Sequence, residues 1–314
     1  MGLQSTKFLR MIEKTMAENQ PVLLAVMAHP DDETFGTGGT LAYYASLGVE
    51  VHLVCATRGE AGDVDAHMMQ GFASVAELRE HELRNAAKAL GLSGVHLLDY
   101  RDSGMAGSAD NTHPRALAAQ EVEVVAADVA HYIRLIKPQV VITFDPIGGY
   151  MHPDHIAIHK AATRAFHTAG EPSQYPNDLP AWKPHKLYYQ IFPRDLLRIG
   201  LFFMRLVGKD PHRMGKNQDI DLVPIAETKF PVHATVDYRS VMKQRDEASL
   251  CHASQGGAKL TGGIMDLARR IFGVRDQYMR AYPQPTRRKE IDLFEGIWDP
   301  KAQRPGATSH MHAL

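Results

Sequence analysis

The chain of 314 residues carries a formal net charge of −1 and is 44% hydrophobic, an ordinary soluble globular composition. That charge, with no clustered Lys/Arg face, speaks against nucleic-acid binding. Two cysteines, Cys55 and Cys251, without CxxC spacing exclude a disulfide framework and a cysteine zinc site.

The opening MGLQSTKFLRMIEKTMAENQ has no uninterrupted apolar run of the secretory kind, and MGLQST matches only the short myristoylation pattern. The expectation is a cytoplasmic protein without a stable membrane anchor. VLLAVMA reads as a first buried strand, GTLAYYASLG as a helix closed by Gly48, and VEVHLVCAT as a second strand. SVAELREHELRNAAKALG reads as a helix ended by Gly91, and VHLLDY as strand three. AAQEVEVVAADVAHYIRLIK reads as a helix stopped before Pro138, and QVVITFD as strand four. HPDHIAIHKAATRAFHTAG begins as a loop and becomes a helix ending at Gly170. The alternation predicts an α/β fold: a Rossmann-like parallel sheet with helices on both faces, plus a C-terminal elaboration. Residues 1–170 form the expected core and residues 171–314 an extension of the same domain that completes the substrate pocket.

Beyond Gly170, EPSQYPNDLPAWKPHK reads as a loop and LYYQIF as a strand. DYRSVMKQRDEASLCHASQ and IMDLARRIFGVRDQYM read as helices, and PGATSHMHAL as a loose tail. LLRIGLFFMRLVG (Leu196 to Gly208) is too short and too charged to span a bilayer. It is open to three readings: an amphipathic cover of the core, a contact in a homo-oligomer, or an active-site lid.

In parallel sheets, sites form outside the carboxyl ends of the strands. Here those ends release AHPDDE, TRGEAGD, DYRDSG and DPIGGYMHPDH. Carboxylates so near a core need positive compensation. HPDD offers His29 with Asp31 or Asp32, and HPDH offers His152, Asp154 and His155, the donor types of a catalytic metal site with an open position. One aspartate can ligate while the other acts as general base. Either tetrapeptide alone can be a simple turn; two, each at a strand end, point to a shared site. His155 and His159 lack the glutamate of a zincin pair, GTGGTL lacks the third glycine of a dinucleotide fingerprint, and no G-x-S-x-G elbow is present.

AHPDDE, TRGEAGD, ELREHELRNAAKALG, RDSGM and GGYMHPDH, in that order between Val22 and Gly170, resemble the LmbE-like, or N-acetylglucosaminyl-phosphatidylinositol de-N-acetylase (PIG-L), family. FDPIGGYMHPDH and RDSGMAG are most similar to its mycothiol-pathway branch of N-acetylglucosaminyl-inositol deacetylases and conjugate amidases. The resemblance implies zinc-dependent removal of an N-acetyl group from a glucosamine-type small molecule. Fe2+ also suits a two-histidine, one-carboxylate set. It implies His29, Asp32 and His155 as metal ligands and Asp31 as general base. His152 would stabilise the oxyanion or protonate the amine, with Asp154 orienting it. Tyr150 would reach the substrate carbonyl, and Arg79 and Asp102 the sugar hydroxyls. On residue type alone, Arg79 can instead pair with Glu80 or Glu82, and Asp102 with Arg101. Three other functions compete: an amidase cutting a larger acyl group such as a cysteinyl conjugate, a non-catalytic sugar-binding module, and a two-metal phosphoesterase. The last usually needs more carboxylates than are visible.

Overall fold

The structure is a computed structural model that describes residues 20–192, 195–206, 208, 210–212, 221–261 and 274–298. Strands β1 (Val22–Met27) and β4 (Val140–Phe144) are buried along their whole length, and β2 (Glu50–Thr57) along most of it. Such apolar runs need cover on both faces, which helices flanking a sheet supply. With β3 (Gly94–Tyr100), β5 (Lys186–Ile191), β6 (Ala234–Asp237) and β7 (Arg275–Tyr282), they form one seven-stranded sheet in the order β3-β2-β1-β4-β5-β7-β6. The strands from β3 to β5 are parallel; β7 pairs antiparallel with both β5 and β6.

Nine α-helical segments are described. After β1 come α1 (Asp32–Phe35) and α2 (Gly38–Ser46), and α3 (Val75–Leu90) joins β2 to β3. Then follow α4 (Val122–Ile136), α5 (Gly148–Met151), α6 (Pro153–Thr168), α7 (Asp195–Leu206), α8 (Leu222–Glu227) and α9 (Met242–Cys251). The chain runs outward from β1 to β3, then crosses back to β4. Right-handed crossovers therefore put the α2–α3 layer and the α4–α6 layer on opposite faces. Helix α9 packs on α3, and α4 on α6.

The local signals act as expected. Ser74 caps α3 by accepting from Glu77 N at 3.2 Å, Gly91 ends it at φ 77°, and α4 stops at Lys137 (φ 57°), just before Pro138. One expected helix is corrected. Of IMDLARRIFGVRDQYM, residues 264–273 lie outside the described residues, and Arg275 to Met279 belong to strand β7. Pairing with strands on both sides overrides local preference there. Asp276 on β7 accepts from Thr40 N at 2.8 Å and so caps α2. The short strand β6 had no clear signal either. The greasy stretch from Leu196 lies largely in α7, and no helix among the described residues is long and apolar enough to cross a membrane. The myristoylation pattern and the C-terminal tail lie outside the described residues.

The loop after α6 is fastened by one side chain. Arg134 of α4 is 1% exposed and donates to the carbonyls of Ala169 (3.0 Å), Tyr175 (2.6 Å), Glu171 (3.0 Å) and Gln174 (2.6 Å). Hydrogen bonds to a charged group contribute most when their loss strands buried acceptors. Arg134→Ala is expected to destabilise the fold by about 3 kcal/mol, which lowers Tm by roughly 4–5 °C in a chain of this size. Thermal denaturation followed by circular dichroism checks this; a shift below about 2 °C would show that water replaces the guanidinium.

Candidate active site

The strand order turns back between β1 and β4, the place where open α/β sheets form a crevice. His29, beyond β1, has Nε2 3.1 Å from Asp154 Oδ2 and 3.4 Å from Asp102 Oδ1. Those carboxylates hold a proton on Nε2 and leave Nδ1 for the opposite side. There, Nδ1 lies 3.1 Å from His155 Nε2 and 3.5 Å from Asp32 Oδ2, and His155 Nε2 lies 3.3 Å from Asp32 Oδ1. Tetrahedral zinc with ligands at about 2.0–2.1 Å sets them roughly 3.3 Å apart. The edge between His29 and His155 and the edges from each to the Asp32 carboxylate, one at each of its oxygens, are of that order, and two imidazoles and one carboxylate are donor types that suit such an ion. His155 Nδ1 faces Gly148 O at 3.2 Å, which orients its ring as metal-binding histidines require. A Cβ on Gly148 (φ 64°) would lie 2.7 Å from His155 Cβ, so only glycine brings this carbonyl so close.

His152 offers a ring nitrogen within 4.8 Å of those of His29 and His155. Its Nδ1 accepts from Asp154 N at 3.2 Å and caps α6, so the neutral ring carries its proton on Nε2. The expected link between His152 and Asp154 thus runs through the Asp154 main chain. The Asp154 carboxylate itself is fully buried and serves His29. It also accepts from Ser103 N (2.8 Å), Ser103 Oγ and Ala118 N (3.2 Å). Tyr150, 37% exposed, sits at the rim with its ring centroid 5.0 Å from that of His155.

Asp31 has φ 123° and ψ −29°, a backbone that non-glycine residues rarely adopt. Arg79 holds it there. Its Nη2 donates to Pro30 O at 2.6 Å and to Asp31 Oδ2 at 3.2 Å, and Nη1 donates to Gly59 O at 2.8 Å. The positive φ of Gly59 and its missing Cβ, which would lie 2.1 Å from the guanidinium, make room for this clamp. Arg79 and Asp102, expected at the sugar, are each 4% exposed and engaged with the protein: Arg79 on the Asp31 loop, Asp102 on His29 and Gly104 N (2.8 Å). Sequence reasoning missed Ser103 and the buried pair of Glu33 with His252 (2.7 Å). Nothing in the sequence spacing around His252 names Glu33 as its partner.

Burial opposes charge throughout. It raises Asp31 to about 7 against the pull of Arg79, with Asp32 adding to the rise. Burial acts on Asp32 and Asp102 too, yet His155 and His29 hold Asp32, and His29 holds Asp102, well below the usual carboxylate range. Burial brings His155 down to about 4 and, with the charges of His29 and His155, lowers His152 strongly. His29 alone of the three rises, its burial outweighed by Asp102, Asp154 and Asp32. A proton on His29 thus compensates the carboxylates, a task that a bound cation takes over when ligands deprotonate.

The GlcNAc-PI de-N-acetylase (PIG-L) family model matches residues 24–166. A 1D-myo-inositol 2-acetamido-2-deoxy-α-D-glucopyranoside deacetylase of Geodermatophilus obscurus is 37% identical over 242 residues, covering 74% of this chain and 82% of that protein. Its Catenulispora acidiphila counterpart, deacetylase 2, is 35% identical over 301 residues, covering 88% and 97%. The fold is also similar to the 4-carboxy-2-hydroxymuconate hydratase of Pseudomonas putida, with a TM-score of 0.53, 19% identity, and coverage of 85% of this chain and 98% of that one. One scaffold therefore carries more than one chemistry. Sequence similarity along most of its length, together with the family's motifs gathered at one crevice, places this chain in the PIG-L family of de-N-acetylases.

Proposed function

We propose that the chain hydrolyses the acetamide of an N-acetylglucosamine-type sugar, releasing acetate and a free amine, with N-acetylglucosaminyl-inositol as the substrate its relatives point to. The observation that carries this reading is the triangle of His29, Asp32 and His155, spaced for one tetrahedral ion, with Asp31 clamped beside it. Zinc held by these three, or iron(II) in the same set, would polarise the amide carbonyl and acidify a water.

The chain's own groups do the rest. Asp31, whose burial raises its affinity for a proton, takes one from the attacking water and returns it to the departing nitrogen. His152, with its proton on Nε2, donates to the oxygen on which negative charge develops. Tyr150 adds a phenol at the open rim. Asp154 and Asp102 fix the His29 tautomer, and Arg79 fixes the Asp31 loop. Residues beyond 170, which supply β5, β6 and β7, complete the pocket within the same domain.

The test is a panel of N-acetylglucosamine, N-acetylglucosaminyl-inositol, diacetylchitobiose and a cysteinyl conjugate. Acetate and free amine are measured on zinc- and iron(II)-loaded enzyme. Metal-dependent release of acetate, fastest from the inositol glycoside, is expected. Turnover of the cysteinyl conjugate alone would replace the deacetylase by an amidase.

A further inference from the structure

The Asp31 loop is fastened to a part of the chain that no motif connects with it. Glu33 is fully buried. Its Oε2 accepts from Asp31 N at 2.9 Å, and its Oε1 accepts from Thr34 Oγ1 at 2.5 Å and His252 Nε2 at 2.7 Å. His252 is also fully buried, at the C-terminal end of α9, with Phe35 edge-on at 5.7 Å. Its Nδ1 has no hydrogen-bond partner among the described residues. An imidazole with one nitrogen stranded in the core is costly as mere filling. What it gains is the bond to Glu33.

The turn around His252 is built to present it. Gly257 N donates to His252 O at 3.0 Å, and a Cβ on Gly257 would lie 1.7 Å from Ser249 O. Ser254 N and Oγ bond Glu82 of α3 at 2.8 and 2.6 Å. Glu82 lies one helical turn beyond Arg79, so α3 grips the Asp31 loop directly and the His252 turn at the same time. A backbone as strained as that of Asp31 persists only where its surroundings over-determine it. Arg79 restrains it from one side, and Glu33, itself held by His252, from the other.

We propose that His252 is a positioning residue for the deacetylation: through Glu33 it fixes the main chain of Asp31 and so aims the general base. This rests on the role proposed for Asp31.

The test uses the metal-loaded full chain with His252→Ala, His252→Gln, Asp31→Asn and the double variant H252A/D31N. His252→Ala is expected to lower kcat by about 10–100-fold, as loss of an orienting partner does, with KM and bound metal unchanged. His252→Gln keeps a donor near the Nε2 position and loses no Nδ1 bond, so it should recover most of kcat. It also serves if the alanine variant fails to fold. In the D31N background, H252A should cost less than about twofold, because residues acting as a unit are non-additive. Effects that multiply in full, or a rise in KM at constant kcat, overturn the proposal. A second readout needs no turnover. Hydrogen exchange should quicken in the peptide spanning residues 28–35 of His252→Ala and stay unchanged in β2. Unaltered exchange there overturns the positioning role whatever the substrate proves to be, whereas a wild type inactive on the whole panel would overturn only the deacetylase reading.

Discussion

Asp31→Asn is expected to lower kcat by about 10³-fold, within the range that general-base removal produces, while KM and metal content stay close to wild type. The substitution is nearly isosteric. Asparagine is among the few residues that tolerate positive φ, so the loop backbone at φ 123° is not further strained. Its amide oxygen still accepts from Arg79, and its main-chain N–H still reaches Glu33. What disappears is the capacity to hold a proton. Stopped assays at saturating substrate, with elemental analysis of the same samples, measure the two quantities separately. A kcat within tenfold of wild type, with metal retained, would mean that another group takes the proton.

Removing the metal should be at least as severe. Chelation is expected to abolish turnover and lower Tm. A ligand present at 100 times its Kd stabilises by about 2.7 kcal/mol, which is roughly 4 °C for a chain of this size. The cause lies in the site: the carboxylates of Asp32, Asp102 and Asp154 crowd His29 in a nearly buried cluster, where their repulsion is little screened. Added zinc should restore both properties. His155→Ala removes one corner of the triangle, so it should lose bound metal, turnover and sensitivity to the chelator together. Undiminished turnover by protein shown to be metal-free would dismiss the assignment of His29, Asp32 and His155 as ligands.

The first half of the chain was legible because its signals are local. Buried strands announce themselves as apolar runs, Gly91 and Pro138 mark helix ends, and HPDD and HPDH stand at strand exits where the topology gathers them. The site was less legible where a partner is main chain or distant. Arg79 grips the carbonyls of Pro30 and Gly59, acceptors that no side-chain pattern reveals, and not Glu80 or Glu82. Asp154 stands two residues from His152, but residues two apart on a helix do not face each other; its carboxylate turns to His29. His252 meets Glu33 across 219 residues of sequence. The strand β7 was read as helix because both strands that pair with it lie far from it in the chain.

The place of β7 in the sheet also bears on the order in which the molecule is assembled during synthesis. The last described strand in sequence inserts between β5 and β6, so β6 has no neighbour to pair with until β7 has left the ribosome. Helix α2, which follows the Asp31 loop, gains its cap at Thr40 only then, since that cap is Asp276 of β7. Pairings this distant form late, after the loop-closure entropy has been met. A nascent chain therefore gathers its parallel core early and completes the far edge of its sheet, with the cap on α2, late. It can be compact well before it is competent.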